Sequence, residues 1–441
     1  MSEALIDLGV VTRTEPVVPP PEPLRLRPPV LRLLSGLVGL ALLATLTGAA
    51  HTTPPAPPTV VPAGLGDATF VTADRLFVVE AGPFPPGAPA TDKVINEYTL
   101  PDGALLSRTT ATVTGAIVNV LAAGPLILIT YQVDSLETEA SMALVAGTGR
   151  TLWRRPSRLL SVARDDGLVL LRQNSPRPGP RTWYGVDLTT GAVRWTADEP
   201  MRGFTAESGS DPGGFPRTLI TAADTGDISV RDTRTGEVVA QKKVRLRAAP
   251  RGADVPIWVA GDLLLVGAPT GTDAYRLPGL TPGWHSDVDL SGRWVQDGCA
   301  TGICALSWQG GLWLIDRRSG ARRWTGDRWN FADQAGRYLL ATANEPGERG
   351  RVVSVLDPDT GDVRGDFGRW HSLGAAGRDG MVIGLREHLA DDKVFYARLD
   401  PATLRVRVLG AAEEVSGDCR TTADVLVCRR IDASVGLWRL K

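Results

Sequence analysis

Short apolar runs alternate with polar, glycine-rich turns from about residue 65 to the C-terminal end of the sequence. The clearest of these runs, each four residues long, are 76–79, 126–129, 168–171, 263–266, 338–341, 381–384 and 425–428. Such a run is too short for a globular helix, and the Gly, Pro, Asp and Asn residues around it favour a buried strand between tight turns. The pattern therefore predicts an all-β fold for most of the chain.

A strand followed by an Asp-x-x-Thr/Ser-Gly turn and a second strand recurs through the same region. Complete copies of this turn are Asp187–Gly191, Asp232–Gly236, Asp316–Gly320 and Asp357–Gly361. Weaker copies contain Gly103, Gly149, Gly279 and Ala402. Successive turns lie 41 to 46 residues apart, and an interval of that size holds the four strands of one β-propeller blade. The recurring turn therefore predicts a β-propeller of four-stranded blades, with seven to nine blades possible.

The turn residues have a physical role of their own. The Asp carboxylate can accept backbone N–H bonds across the turn, and Gly supplies the positive φ that the turn needs. In three copies a tryptophan follows the turn glycine by four residues, namely Trp153, Trp195 and Trp324. We expect each indole to pack over the neighbouring blade, which would account for much of the chain's 12 Trp without a ligand.

The end of the chain leaves the blade count open. Residues 425–428 and 436–440 form a ninth hairpin, with no sequence left for an outer strand. Either Thr59–Val61 supplies that strand and closes the ring, or one hairpin is an insertion. Closure by both termini would remove exposed sheet edges.

The N-terminal region contains an uncharged run of 18 residues, 33–50. As a helix it would be about 27 Å long, enough to cross a bilayer core. Arg25, Arg27 and Arg32 precede the run, and no Lys or Arg follows until Arg75, so the preceding segment is predicted to be cytoplasmic. A cleaved signal peptide is the alternative, because small residues end the run; the long acidic segment before it argues against cleavage.

These features divide the chain into four parts. We expect a Pro-rich cytoplasmic tail at 1–32, a transmembrane helix at 33–50, a Pro-rich stalk at 51–64 and an extracytoplasmic propeller at 65–441. The predicted location is the cell membrane, with a single pass.

Segments 184–195 and 312–324 resemble the pyrroloquinoline-quinone-like β-propeller repeat family. The match is partial at 143–153, 228–239 and 353–364. This resemblance implies the propeller fold over about residues 65–440, and eight blades are expected because that is the family's usual number. Related propellers include quinoprotein alcohol dehydrogenases, the lipoprotein that assists outer-membrane protein assembly, and membrane-anchored actinobacterial proteins, which this chain resembles in its layout. The quinoprotein dehydrogenases resemble one another in an adjacent Cys-Cys pair that this sequence lacks, so no cofactor is assigned.

The four cysteines form two local pairs, Cys299 with Cys304 and Cys419 with Cys428. Each pair falls across a turn between adjacent strands, and thiols outside the membrane oxidise, so two local disulfides are predicted. A four-thiolate metal site and free thiols are the alternatives, and the spacings fit zinc poorly.

Charge and motifs give little sign of catalysis. Lys and Arg number 48 against 49 Asp and Glu, so no global field attracts nucleic acid. The sequence contains no Gly-x-Ser-x-Gly elbow, no phosphate loop and no close spacing among its four histidines, which are His51, His285, His371 and His388. Four arginines flank one turn and could bind an anionic polymer or lipid headgroup, or form a solvated rim: Arg317, Arg318, Arg322 and Arg323.

The expected function follows from this layout. A monomeric propeller anchored in the bilayer through residues 33–50 would bind a protein or a cell-wall component on its rims or central depression, without catalysis, cofactor or metal. The alternative is a quinone-dependent dehydrogenase, or another enzyme with its site in the central channel. The sequence does not identify the partner.

Overall fold

The computed structural model describes residues 57–82, 90–133, 138–173, 181–211, 213–247, 255–299, 302–307, 309–343, 352–373, 380–388, 393–422 and 424–440. These residues form 36 strands and no helix. No membrane-spanning helix is therefore found among them. The predicted tail at 1–32 and the predicted transmembrane segment at 33–50 lie outside the described residues.

The strands form nine antiparallel sheets of four. Strand β1 (Thr59–Val61) belongs to the last of them. Sheet 1 contains β2 (Ala68–Val71), β3 (Arg75–Val79), β4 (Thr91–Thr99) and β5 (Leu105–Val113). Sheet 2 contains β6 (Ile117–Ala123), β7 (Leu126–Gln132), β8 (Glu139–Val145) and β9 (Thr151–Arg155). Sheet 3 contains β10 (Arg158–Ala163), β11 (Leu168–Arg172), β12 (Arg181–Asp187) and β13 (Val193–Glu199). Sheet 4 contains β14 (Gly203–Ser210), β15 (Pro216–Ala223), β16 (Asp227–Asp232) and β17 (Val238–Lys243).

The second half of the chain continues in the same order. Sheet 5 contains β18 (Ile257–Ala260), β19 (Leu263–Ala268), β20 (Gly271–Arg276) and β21 (Thr281–Ser286). Sheet 6 contains β22 (Arg293–Cys299), β23 (Gly302–Ser307), β24 (Leu312–Asp316) and β25 (Arg322–Gly326). Sheet 7 contains β26 (Trp329–Ala335), β27 (Tyr338–Ala343), β28 (Val352–Leu356) and β29 (Val363–Arg369). Sheet 8 contains β30 (His371–Leu373), β31 (Val382–His388), β32 (Lys393–Asp400) and β33 (Arg405–Glu413).

Sheet 9 joins the two ends of the described chain. It contains β34 (Val415–Thr421), β35 (Val425–Arg430), β36 (Val435–Arg439) and, as its outer strand, β1. Thr59 pairs with Leu437 and Val61 with Val435, in antiparallel register. Pro58 and Pro62 flank β1 in the sequence, so no proline nitrogen interrupts this short pairing.

The hydrophobic core is divided among the nine interfaces between neighbouring sheets. Nine buried clusters occur, and each contains side chains from two successive sheets. One of them packs Val61 and Leu437 of sheet 9 against Leu76 and Val78 of sheet 1, which closes the ring. First strands of neighbouring sheets also contact each other, as β22 does with β18 and β26, so the first strand of each sheet lies nearest the axis.

The structure corrects the predicted blade number from eight to nine. Each of the eight predicted turns joins the third and fourth strands of a sheet, from sheet 1 at Gly103 to sheet 8 at Ala402. Sheet 9 has no such turn, because its fourth strand is β1 from the other end of the chain. Counting turns therefore undercounts the sheets by one. Strand β1 also lies inside the segment 51–64 that was expected to be a stalk, so the propeller begins at or before Thr59.

Candidate functional site

The repeated Asp-Gly turns bind their own backbone. Oδ1 of Asp187 accepts the amides of Thr189 and Thr190 at 3.0 and 2.9 Å, and the Gly191 amide donates to the Asp187 carbonyl at 2.8 Å. Arg194 donates to the same carboxylate at 2.7 Å and holds the pKa of Asp187 well below its usual range. Such a carboxylate is saturated with donors and acts as a structural brace.

The other three complete Asp-Gly turns have the same geometry. Oδ1 accepts turn amides at 2.8 to 2.9 Å in each, and the turn glycine donates to the aspartate carbonyl at 2.8 to 2.9 Å. The residues concerned are Asp232 with Gly236, Asp316 with Gly320, and Asp357 with Gly361. Hydrogen bonding from Arg323 lowers the pKa of Asp316 to about 2.

Each repeat tryptophan packs on the turn of the next sheet. The indole Nε1 of Trp195 donates to the carbonyl of Thr233 at 3.0 Å, and its ring covers Gly236 so closely that a Cβ there would overlap it. Trp153 contacts Leu188 and Gly191 in the same way, with an Nε1–O distance of 2.8 Å. These rings lock successive sheets together through packing and one directed hydrogen bond.

Two further tryptophans complete this set. Trp324 donates to Pro358 at 3.0 Å and covers Gly361. Trp284, which the sequence pattern missed, donates to Arg317 at 2.9 Å and covers Gly320. Its own turn has no aspartate and places the tryptophan five residues after Gly279, so the spacing rule did not detect it. In sheet 2, Gly149 approaches the backbone of Thr110 of sheet 1 instead of an indole.

The four arginines around the sheet 6 turn have different surroundings. Arg317 donates to Asp262 of sheet 5 at 2.7 Å, and Arg323 pairs with Asp316 and with Asp359 of sheet 7. The Arg322 guanidinium lies 4.8 Å from the centre of the Trp313 ring. Arg318 is exposed. Three of the four therefore hold the rim together, and Arg318 alone of this group has no such contact among the described residues.

Both predicted disulfides are confirmed, and both lie beside an irregularity of an inner strand. Cys299 bonds Cys304 between β22 and β23, where the register shifts after Gln296. Cys419 bonds Cys428 between β34 and β35, where the register shifts on both sides of Gly417. Each bridge therefore fixes a bulged inner strand to the strand behind it.

Acidic groups on two inner strands lie in partly dehydrated surroundings. Desolvation raises the pKa of Glu207 on β14, although this side chain is still exposed to solvent, and that of the half-buried Asp333 on β26. Asp333 accepts a hydrogen bond of 2.9 Å from Gln296 on β22, which joins sheets 6 and 7 near the axis. These two carboxyls belong to sheets 4 and 7.

A cavity of about 360 Å³ opens between sheets 8 and 9. Its apolar lining residues are Leu385, Val394 and Val415. The polar residues are His371, Glu387, His388, Lys393, Ser416 and Asp418, and Cys419 of the second disulfide completes the lining. We call this the 8–9 cavity. Its volume lies at the lower end of the range for small-molecule pockets.

The 8–9 cavity could not be predicted from the sequence. Its residues come from four strands of two successive repeats, and no motif spans them. The bulge at Gly417, with φ of +139°, and Asp418, with φ of +50°, gives its wall a shape that strand periodicity cannot predict. Within the described ranges, no group of three or more His, Cys, Asp and Glu is placed to hold a metal ion. His285, on β21, pairs with Asp273 at 2.7 Å, and His51 lies outside the described residues.

Comparison with known proteins gives the following. A family model described as outer membrane protein assembly factor BamB matches residues 91–326. A search of curated proteins finds no match. BamB from Moraxella catarrhalis is 16% identical in sequence, covering 87% of this chain and 97% of that chain, with a TM-score of 0.39. The computationally designed protein Ika8 is 14% identical, with coverages of 75% and 99% and a TM-score of 0.43. The C-terminal WD40 domain of Sif2 is 8% identical, with coverages of 87% and 98% and a TM-score of 0.42.

The family match can be placed on the fold. It begins at the first residue of β4 and ends at the last residue of β25, so it covers most of sheets 1 to 6 and more than half of the chain. It includes three of the four complete Asp-Gly turns and four of the docking tryptophans described above. The chain belongs to the pyrroloquinoline-quinone-like β-propeller family whose model carries the description of outer membrane protein assembly factor BamB.

Proposed function

We propose that this protein is a membrane-anchored, extracytoplasmic β-propeller that binds a protein partner and catalyses no reaction. The 8–9 cavity is the observation that carries the proposal. It combines apolar residues with hydrogen-bonding and charged groups in one lining, which is the composition of a pocket that accepts a protruding side chain of another protein. The family description, an assembly factor, supports a partner of this class.

The structural roles of the repeat aspartates, the repeat tryptophans and the cysteines support the same proposal. Turn aspartates bind their own amides, repeat tryptophans dock on the next sheet and all four cysteines are in disulfides. The ring is therefore a rigid frame, and its cavities are held in place by it. A preformed cavity on a rigid frame costs little conformational entropy when a partner binds.

The test is retention of the natural partner by the full chain, isolated in mild detergent from cells that make it. Glu387 and Arg386 are both exposed on β31, and only Glu387 lines the 8–9 cavity. Glu387→Arg reverses a charge inside the cavity, whereas Arg386→Glu reverses one on the other side of the same strand. We expect Glu387→Arg to lose the partner and Arg386→Glu to keep it. Equal retention by both variants would contradict the proposal.

A further inference from the structure

The turn between the first and second strands of sheet 7 carries a positive charge, whereas the same turn in several other sheets carries a negative one. The turns between first and second strands contain an aspartate in five described sheets: Asp74, Asp166, Asp211, Asp262 and Asp424. In sheet 5 this turn is Gly261-Asp262, between the paired residues Ala260 and Leu263. In sheet 7 the same two-residue turn, between Ala335 and Tyr338, is Gly336-Arg337. Position 337 is thus the structural equivalent of 262 with the charge reversed.

The reversal removes a bridge between sheets. Asp262 accepts Arg317 from the next sheet at 2.7 and 3.1 Å, and Asp166 accepts Arg234 from the next sheet at 2.6 Å. Arg317 lies in the turn between the third and fourth strands of sheet 6. The same turn of sheet 8, residues 401–404, contains no charged side chain that could pair with Arg337. Arg337 consequently forms no ion pair in the described part of the chain, although it is exposed and bears a full charge.

A cavity of about 640 Å³ lies beside this arginine. Arg337 donates to the Tyr338 hydroxyl at 2.7 Å, and the guanidinium groups of Arg337 and Arg364 lie 4.9 and 5.4 Å from the centre of the Tyr338 ring. The remaining lining residues are Gln334, Gly336, Asp357, Pro358 and Asp359. Two cations therefore converge on one aromatic ring at the edge of an open space, and we call this the sheet 7 cavity.

The two aspartates of the sheet 7 cavity already have partners. Asp359 pairs with Arg323 at 3.2 Å, and Asp357 accepts the Asp359 amide at 2.9 Å, with Arg364 3.8 Å away. Arg337 is left as the cation with unused donors. The lining carries two carboxylates and two guanidinium groups, so it has no excess of positive charge that would favour a phosphate dianion over a carboxylate.

We propose that the sheet 7 cavity binds an acidic polypeptide segment, with a Glu or Asp carboxylate held between Arg337 and Arg364. This inference rests on the proposed function only in taking the ligand to be a protein. A carboxylate there would form charge-assisted hydrogen bonds with the guanidinium groups. Tyr338 and Gln334 line the space that the neighbouring residues of the bound segment would occupy. It would replace the ion pair that Asp262 and Arg317 make in the equivalent place.

The experiment is fluorescence anisotropy of a labelled hexaglutamate peptide with the full chain in detergent, at about 50 mM salt where exposed charges are weakly screened. Arg337→Asp restores the residue type found at 262, and Arg337→Gln removes the charge with less change of shape. Arg318→Gln is the matched control for Arg337→Gln, because Arg318 is an exposed turn residue of the neighbouring sheet 6 and its replacement changes the net charge by the same amount. Thermal unfolding of each variant reports whether the fold is intact.

We expect both Arg337 variants to weaken peptide binding about tenfold or more, as loss of a charged hydrogen-bond partner predicts, and Arg318→Gln to change it less than twofold. Three outcomes would overturn the proposal: no binding of the peptide by the natural chain, equal losses in Arg318→Gln and Arg337→Gln, or displacement of the peptide by inorganic phosphate at lower concentration than by acetate. The Glu387→Arg variant should bind the peptide normally, which separates failure of this site from failure of the 8–9 cavity.

Discussion

Replacement of Trp195 tests whether the repeat tryptophans hold the ring together. The side chain is 8% exposed, and burial of a tryptophan removes on the order of 200 Å² of surface from water. At about 25 cal/mol per Å², this burial is worth at most about 5 kcal/mol. We therefore expect Trp195→Ala to lower the free energy of unfolding by about 3–5 kcal/mol, since the cavity at the interface of sheets 3 and 4 cannot collapse fully.

The hydrogen bond can be separated from the packing. Trp195→Phe keeps most of the ring area but removes the donor to the Thr233 carbonyl, which is 3.0 Å away, so it should cost about 1–2 kcal/mol. Val193→Ala on the same strand is the control, because Val193 is 40% exposed and should change stability by less than about 0.5 kcal/mol. Urea unfolding, followed by circular dichroism, measures all three. A Trp195→Ala variant within about 1 kcal/mol of the natural chain would refute the reasoning.

Gly236 provides a second check on the same contact. Its φ is +77°, and a Cβ would overlap the Trp195 ring, so Gly236→Ala carries both a backbone cost and a steric cost. In the Trp195→Ala background only the backbone cost remains. The two changes together should therefore destabilise the chain by less than the sum of their separate effects, by about 1–3 kcal/mol. Additive effects would show that the ring does not lie on this turn.

Three further predictions concern ring closure, charge and redox state. Val61→Asp places an unpaired charge in the interface of sheets 9 and 1 and should cost several kcal/mol in urea unfolding, whereas Val60→Asp, on the exposed side of β1, should cost little. Asp316→Asn should destabilise the chain above about pH 4. Because the native pKa of Asp316 is depressed to about 2, the difference in unfolding free energy between variant and natural chain should shrink as the pH falls towards 2. A difference that stays constant with pH would contradict the ion-pair explanation. Changing Cys419 and Cys428 together to serine should lower the free energy of unfolding by about 2–3 kcal/mol, the chain-entropy value for a short loop. It should also weaken partner retention, because Cys419 lines the 8–9 cavity. An unchanged urea midpoint would contradict a stabilising role for this disulfide.

Local chemistry explains which parts of the fold could be predicted. The Asp-x-x-Thr/Ser-Gly turn is a contiguous signal, because the aspartate, its amide donors and the glycine all lie within five residues, as at Asp187–Gly191. Tryptophan docking was predictable for Trp195 because it keeps a fixed distance from the turn. Trp284 makes the same contact from a turn with a different sequence, so only the structure reveals it.

The number of sheets depends on a pairing between strands far apart in the sequence, so the strand pattern alone could not predict it. The ninth sheet depends on Thr59–Val61, which is separated from its partner strand by more than 370 residues and is only three residues long. The sequence offered this pairing as one of two explanations for an incomplete hairpin, and the register with Val435–Leu437 confirms it. The predicted blade number was wrong because the ninth sheet, in which β1 pairs with β36, has no turn of this kind between its third and fourth strands.

The candidate sites were even less accessible to sequence reasoning. Glu387 and Asp418 line one cavity, yet they belong to different sheets and to strands of unrelated sequence. The reversed charge at Arg337 becomes visible only when its turn is aligned with Gly261-Asp262 through strand pairing. Side chains that meet across sheet interfaces leave no spacing signal in a single sequence.

Site-specific photo-crosslinking in cells tests the central claim, that the 8–9 cavity contacts a protein partner, most directly. A benzophenone amino acid at position 387 lies at the cavity, and the same group at position 408 lies on the outer strand of sheet 8, where Val408 is 55% exposed. We expect one protein adduct of constant mass from position 387 and none from position 408. Absence of an adduct from position 387, or the same adduct from both positions, would contradict it.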